Sequence, residues 1–169
     1  MGRSGRRVAE ICHLAFKMKI YYFDQYNYPE YENKYACKKE NLNSIFKQSD
    51  FISIHLPYHP SLYHLISEEQ LKLMKKNAFL INTARGPIWD EKALVEMLKN
   101  ESIAGIATDV YEKEPLEHGK NVFADFDNVI LSPHLAAHTE EALVKMAMVV
   151  QDVIAVLEGN KPKYPVIMK

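Results

Sequence analysis

Along almost the whole chain, short apolar runs that stop at a polar or turn residue alternate with stretches of helical period. That alternation restricts the chain to an α/β fold with a doubly wound parallel sheet, because parallel neighbours need a long, usually helical, crossover between them. Segments 19–23, 50–55, 78–82, 103–108 and 129–131 read as strands. Helices are expected after Arg6, carrying Val8, Ile11, Cys12 and Ala15, and at 41–48 and 67–74. Another should follow Asp90, burying Ala93, Leu94, Met97 and Leu98, and a long one should run from Thr139 to Gly159. The tyrosine-rich segment 25–35 has no clear period and reads as a surface excursion with a short helix.

Local chemistry fixes several of these starts. Ser67-Glu68-Glu69-Gln70 has the form of a capping box, and Lys75 and Lys76 suit the negative end of the helix it opens. Asp90 is a good N-cap. The apolar stripe from Leu143 through Met146, Val150, Val153 and Ile154 to Leu157 is expected to be core.

At 169 residues the chain can enclose a real core. Its formal net charge of −1 gives no electrostatic reason to expect nucleic acid. Cys12 and Cys37 make neither a metal spacing nor a disulfide framework, so a reducing, cytoplasmic setting without a metal is expected. The longest apolar runs are too short to span a bilayer, and no signal peptide precedes the first helix, so no membrane association is expected.

Three residues past strand-like runs carry the chemistry: Arg85 in Ile81-Asn82-Thr83-Ala84-Arg85-Gly86, Glu114 in Lys113-Glu114-Pro115, and His134 in Ser132-Pro133-His134. Ligands of open α/β sheets bind at the carboxyl ends of strands. A cation, a carboxylate and an imidazole there could bind an acid and move a proton. At the other end of the chain, Gly2-Arg3-Ser4-Gly5 stands before a helix like the back of a glycine-rich dinucleotide fingerprint, whose pyrophosphate lies on free helix N–H groups. Asp24 ends the next strand about 20 residues on, where a carboxylate holds a ribose diol and repels a 2′-phosphate, favouring NAD over NADP.

With these motifs the chain resembles the NAD-binding domain of the D-isomer-specific 2-hydroxyacid dehydrogenases. The likeness extends through Ser53-Ile54-His55-Leu56-Pro57, Asp90-Glu91, Ala107-Thr108-Asp109-Val110-Tyr111 and Asn128-Val129-Ile130-Leu131. It implies NAD-dependent interconversion of a small D-2-hydroxy acid and its 2-oxo acid. Arg85 would grip the substrate carboxylate, His134 would give or take the proton, and Glu114 would orient His134 and favour its charged form. The resemblance places the cofactor against Gly2, Arg3, Ser4 and Gly5 at the pyrophosphate, and against Asp24, Leu56 and Pro57 at the adenosine half. Thr83, Ala84, Arg85, Asp109, His134, Ala136 and Ala137 would lie about the nicotinamide. A homodimer through the cofactor domain is implied, with the Leu143–Leu157 stripe contributing to a dimer or interdomain surface.

The chain departs from the family at Ser4 and Trp89, where aliphatic residues are usual, and at Ala136-Ala137, where glycine is common. By the resemblance, 1–158 is the NAD-binding domain and 159–169 begins a return to a substrate domain. A further strand is expected before Gly2, at the sheet centre between the strand ending at Asp24 and the strand before Arg85. The alternatives are a non-catalytic NAD(H)-binding module of corepressor type and an inactive fragment of the dehydrogenase. His13, His59, His64, His118 and His138 read as structural or solvated, and His55 as a turn residue or an adenine contact.

Overall fold

The computed structural model describes residues 1–117 and 119–165, so His118 and the end of the return segment lie outside the described residues. The chain divides into two compact units, Met1–Pro133 and His134–Lys169.

In the first unit, helix α1 (Arg3–Phe16) ends at Lys17, whose left-handed backbone lets its own N–H reach the His13 carbonyl and the Met18 N–H reach the Cys12 carbonyl. Of the apolar run at 19–23, only Tyr21–Tyr22 forms strand β1. Its length is set by its partner, the two-residue strand β2 (Lys38–Lys39), which pairs with it in parallel. Between them helix α2 (Pro29–Tyr35) starts on a proline whose fixed φ suits the first turn. Tyr22, Tyr35, Ala9 and Cys37 are buried together as a small core, so part of the tyrosine cluster is interior.

Helix α3 (Leu42–Gln48) is capped by Asn41, which accepts the Ser44 N–H at 2.8 Å. Four parallel strands then form a sheet in chain order: β3 (Phe51–Ile54), β4 (Phe79–Asn82), β5 (Gly105–Thr108) and β6 (Val129–Leu131). Helix α4 (Glu68–Leu71) joins β3 to β4 and carries the expected capping box. Helix α5 (Glu91–Lys99) joins β4 to β5, with Asp90 accepting the Ala93 N–H at 3.1 Å. Leu71, Leu80, Ile88, Leu94, Ile106 and Phe123 fill the core beside Trp89. Each such burial contributes about 1.5–3 kcal/mol. Trp89 is thus a core residue, packed edge-on against Phe123.

The sheet is interrupted. The β1–β2 pair is separate from β3–β6, and a cavity of about 430 Å³ lies between β1 and β3, lined by both. The expected central gap therefore does not lie beside the strand before Arg85. That strand, β4, is hydrogen-bonded to β3 on one side and β5 on the other, so β3 forms the edge of the gap.

The second unit holds helices α6 (Glu140–Ala147) and α7 (Val149–Leu157). Thr139 caps α6 through the Ala142 N–H. The single long helix expected here is divided at Met148, and Gly159 stops it with a φ of 80°. No residue of α6 or α7 is buried, so the stripe read as core is exposed, Leu157 to 82%. Two short helices offer too little chain to enclose it. Among the described residues no helix is long and apolar enough to cross a membrane.

Candidate dinucleotide site and carboxyl-edge loops

The site at the start of α1 is built from backbone. Gly2 is extended, no side chain caps the helix, and its first turn contains no acidic residue. The N–H groups of Arg3, Ser4 and Gly5 have no acceptor within the helix, as at any helix start, and they carry the positive end of its dipole. A side chain on Gly2 would point into open space, whereas Gly5 is buried and a Cβ there would lie 3.4 Å from His55. Arg6 donates from Nε to the Met1 carbonyl and lies 4.8 Å over the Tyr28 ring, adding positive charge beside that turn.

Asp24 follows β1. Its Oδ1 accepts the Tyr26 N–H at 2.9 Å, and its Oδ2 pairs with the Met1 ammonium. His55, Leu56 and Pro57 follow β3, with His55 Nε2 2.9 Å from Ser53 Oγ. Burial pushes the His55 imidazole below its ordinary pKa. Gly2, Gly5, Asp24, His55, Leu56 and Pro57 all line the 430 Å³ cavity. An uncapped helix start without acids, open space at Gly2 and a carboxylate on the neighbouring strand fit a dinucleotide. Arg3, Ser4 and Gly5 would hold its pyrophosphate, and Asp24 its ribose.

The second cluster lies along the carboxyl edge of β4 and β5. Asn82 is fully buried, and its side chain builds the turn that follows: Nδ2 donates to the Arg85 carbonyl at 3.0 Å and Oδ1 accepts the Ala84 N–H at 3.0 Å. Thr83 and Arg85 are left exposed on that turn. The Arg85 Nη1 donates to the Ala84 carbonyl at 2.6 Å. Next, Gly86 meets the peptide joining Tyr111 to Glu112 so closely that a Cβ would sit 1.9 Å from the Tyr111 carbonyl carbon. The Arg85 turn is thereby wedged against the loop that carries Glu114.

That loop is held from within. Glu114 Oε1 accepts the Tyr111 N–H at 2.8 Å, and Glu91 Oε1 accepts the Glu112 N–H at 2.7 Å. Burial raises the Glu91 carboxyl above its ordinary range, partly opposed by that N–H. Asp109 is buried and accepts from Ser132 Oγ at 2.5 Å, while Tyr111 Oη donates to the Ser132 carbonyl at 2.9 Å. The end of β6 is thus tied to the end of β5.

The structure therefore brings together Arg85, Asp109 and the Glu114 loop in one group, and Gly2, Gly5, Asp24, Leu56 and Pro57 in another. His134, Ala136 and Ala137 are exposed members of the second unit, His134 with a φ of 57°. Sequence reading missed the turn-building role of Asn82 and the tethering role of Glu91. Their only signal was an amide at a strand end and an acid one place after a cap. Among the described residues no group of three or more His, Cys, Asp or Glu could hold a metal ion.

A parallel α/β fold with a bare helix start and a carboxylate beside it at one cleft, and with polar loops along the carboxyl edge of its strands, defines a dinucleotide-binding domain. The chain belongs to the D-isomer specific 2-hydroxyacid dehydrogenase family: the family's NAD binding domain matches residues 1–136. It is 44% identical over 163 residues to a glyoxylate reductase of Aeropyrum pernix, covering 96% of this chain and 48% of that protein. It is 41% identical over 165 residues to a putative 2-hydroxyacid dehydrogenase of Staphylococcus epidermidis, covering 97% of this chain and 51% of the relative. Among solved structures, D-lactate dehydrogenase with NAD⁺ from Lactobacillus jensenii superposes with a TM-score of 0.88 at 29% identity, over 99% of this chain and 54% of the other. The NAD-complexed D-isomer specific 2-hydroxyacid dehydrogenase of Lactobacillus delbrueckii gives 0.86 at 31% identity, over 98% and 53%. The chain spans about half the length of the curated relatives it matches.

Proposed function

We propose that this chain is the cofactor-binding half of an NAD-dependent dehydrogenase that interconverts a small 2-oxo acid of the glyoxylate or lactate class with its D-2-hydroxy acid. The observation that supports this reading is the wedge of Gly86 against the Tyr111–Glu112 peptide, which sets the turn carrying Arg85 against the loop carrying Glu114 at the carboxyl edge of the sheet. When bound, the nicotinamide supplies or accepts the hydride. Arg85 holds the substrate carboxylate and draws electron density from the adjacent carbonyl. His134 delivers a proton to the carbonyl oxygen in reduction and removes it in oxidation, and Glu114 favours the charged imidazole. At the cofactor, Arg3 and Ser4 bind the pyrophosphate through their N–H groups, and Gly2 and Gly5 let it approach. Asp24 holds the ribose, Leu56 and Pro57 flank the adenosine half, and Thr83, Ala84, Asp109, Ala136 and Ala137 serve the nicotinamide half. The exposed stripe on α6 and α7 supports a homodimer of these halves, and two free thiols suit the reducing cytoplasm.

The test is NADH-dependent reduction of glyoxylate by this chain joined to the remaining half of the Aeropyrum pernix relative. Arg85→Ala should lower kcat/KM for the oxo acid by 100-fold or more, and His134→Ala should abolish reduction, both with NADH affinity nearly intact. Unchanged kcat/KM in Arg85→Ala would remove the carboxylate grip, and lost NADH binding in His134→Ala would remove the proton-donor role.

A further inference from the structure

Segment 63–66 is stitched along the turn that follows Arg85. The His64 N–H donates to the Pro87 carbonyl at 2.9 Å, the Ile66 N–H to the Ile88 carbonyl at 3.0 Å, and the Asp90 N–H to the Ile66 carbonyl at 2.9 Å. From the same segment two side chains reach the Glu114 loop. Tyr63 Oη donates to Glu112 Oε1 at 2.8 Å, and His64 Nε2 lies 2.7 Å from the same oxygen. A carboxylate can only accept, so Nε2 carries the proton. The Tyr63 and His64 rings stack at 3.9 Å, and His64 holds a φ of 51° that an L residue adopts only when its surroundings impose it. Glu112 is fastened on its other side by its N–H to Glu91, in the first turn of α5, and Asp90 lies 3.8 Å from His64 Nδ1.

Three stretches distant in sequence, 63–66, 86–91 and 111–114, thus close into one ring around the contact of Gly86 with the Tyr111–Glu112 peptide. We infer that Tyr63, His64, Glu112 and Glu91 form a positioning clamp that sets the spacing of Arg85 from Glu114, an inference that rests on the reaction proposed for those two residues. None of the four is assigned to substrate or cofactor. The stacked Tyr63 and His64 rings grip one carboxylate, and the half-buried carboxyl of Glu91 grips the adjoining amide. Without the side-chain link, each loop retains its own strand but loses its reference to the other.

The test compares His64→Leu, which cannot donate, with His64→Gln, which can. Amide hydrogen exchange of the chain alone reads the geometry, without cofactor or substrate. His64→Leu should accelerate exchange tenfold or more at Ile88, Tyr111 and Glu112 together, leave α1 and α2 unchanged, and be reversed in His64→Gln. In the joined assembly described above, kcat should fall at least fivefold in His64→Leu with the NADH dissociation constant unchanged, and recover in His64→Gln. Unaltered exchange at those amides, acceleration spread uniformly over the chain, or a His64→Gln variant as impaired as His64→Leu would overturn the clamp. A wild-type assembly that fails to reduce any 2-oxo acid would instead remove the proposed reaction, a result separable from normal turnover with unaltered exchange.

Discussion

Gly86 shows how much one residue can settle. A Cβ there would lie 1.9 Å from one backbone carbon and 2.4 Å from the next nitrogen, and neither can swing aside as a side chain would. Gly86→Ala should therefore destabilise the chain by about 3 kcal/mol or more, read as a lowered urea midpoint, since overpacking against fixed atoms lies at the costly end of its range. A midpoint unchanged from wild type would show that the two loops are not in contact. His55 supplies a pH test. Its folded imidazole resists the proton that the unfolded one accepts near pH 6.5, because burial lowers its pKa. The unfolded state then binds more protons, so this residue's contribution to stability is present above that pH and lost as pH falls below it. His55→Gln should lose less stability than wild type between pH 7.5 and pH 5, and parallel losses would contradict the assignment. At this scale the sequence was legible where placement is local: Arg85 and Asp24, marked by their neighbours, stand just past the ends of β4 and β1. Asn82 and Glu112 were not legible, because their partners, Arg85 and Ala84 for one and Tyr63 and His64 for the other, become visible only once the turns are closed.

At the scale of elements, helix starts were legible and strand extents were not. Asn41, Ser67, Asp90 and Thr139 each stand at a helix start, and each side chain accepts a first-turn N–H. Asn41→Ala should cost about 1 kcal/mol, measured by thermal unfolding, because the Ser44 N–H at 2.8 Å loses its acceptor. An unchanged transition would mean that the α3 start is held by other contacts. Strand β2 escaped detection because two lysines show no apolar alternation, and only pairing with β1 makes them a strand. The same dependence on a partner cut the run at 19–23 to Tyr21–Tyr22. The stripe on α6 and α7 has a sound helical period, yet periodicity cannot say what covers a face.

For the molecule as a whole, the alternation of strands and helices was enough to specify a parallel α/β fold, and the order of β3 to β6 follows from their succession along the chain. The position of the break between β1 and β3 was not legible, since it depends on which strands find neighbours. Across that break stand the two halves of the proposed cofactor site, the α1 start with Asp24 on one side and residues 55–57 on the other. A ligand that binds only the folded chain at about 100 times its Kd adds about 2.7 kcal/mol of stability. The most direct measurement is thermal unfolding of the chain with excess NADH or NADPH, on wild type and Asp24→Ala. A clear upward shift with NADH, a much smaller one with NADPH, and a narrowed difference in Asp24→Ala are expected. A cooperative transition that neither dinucleotide moves would contradict the proposed cofactor site.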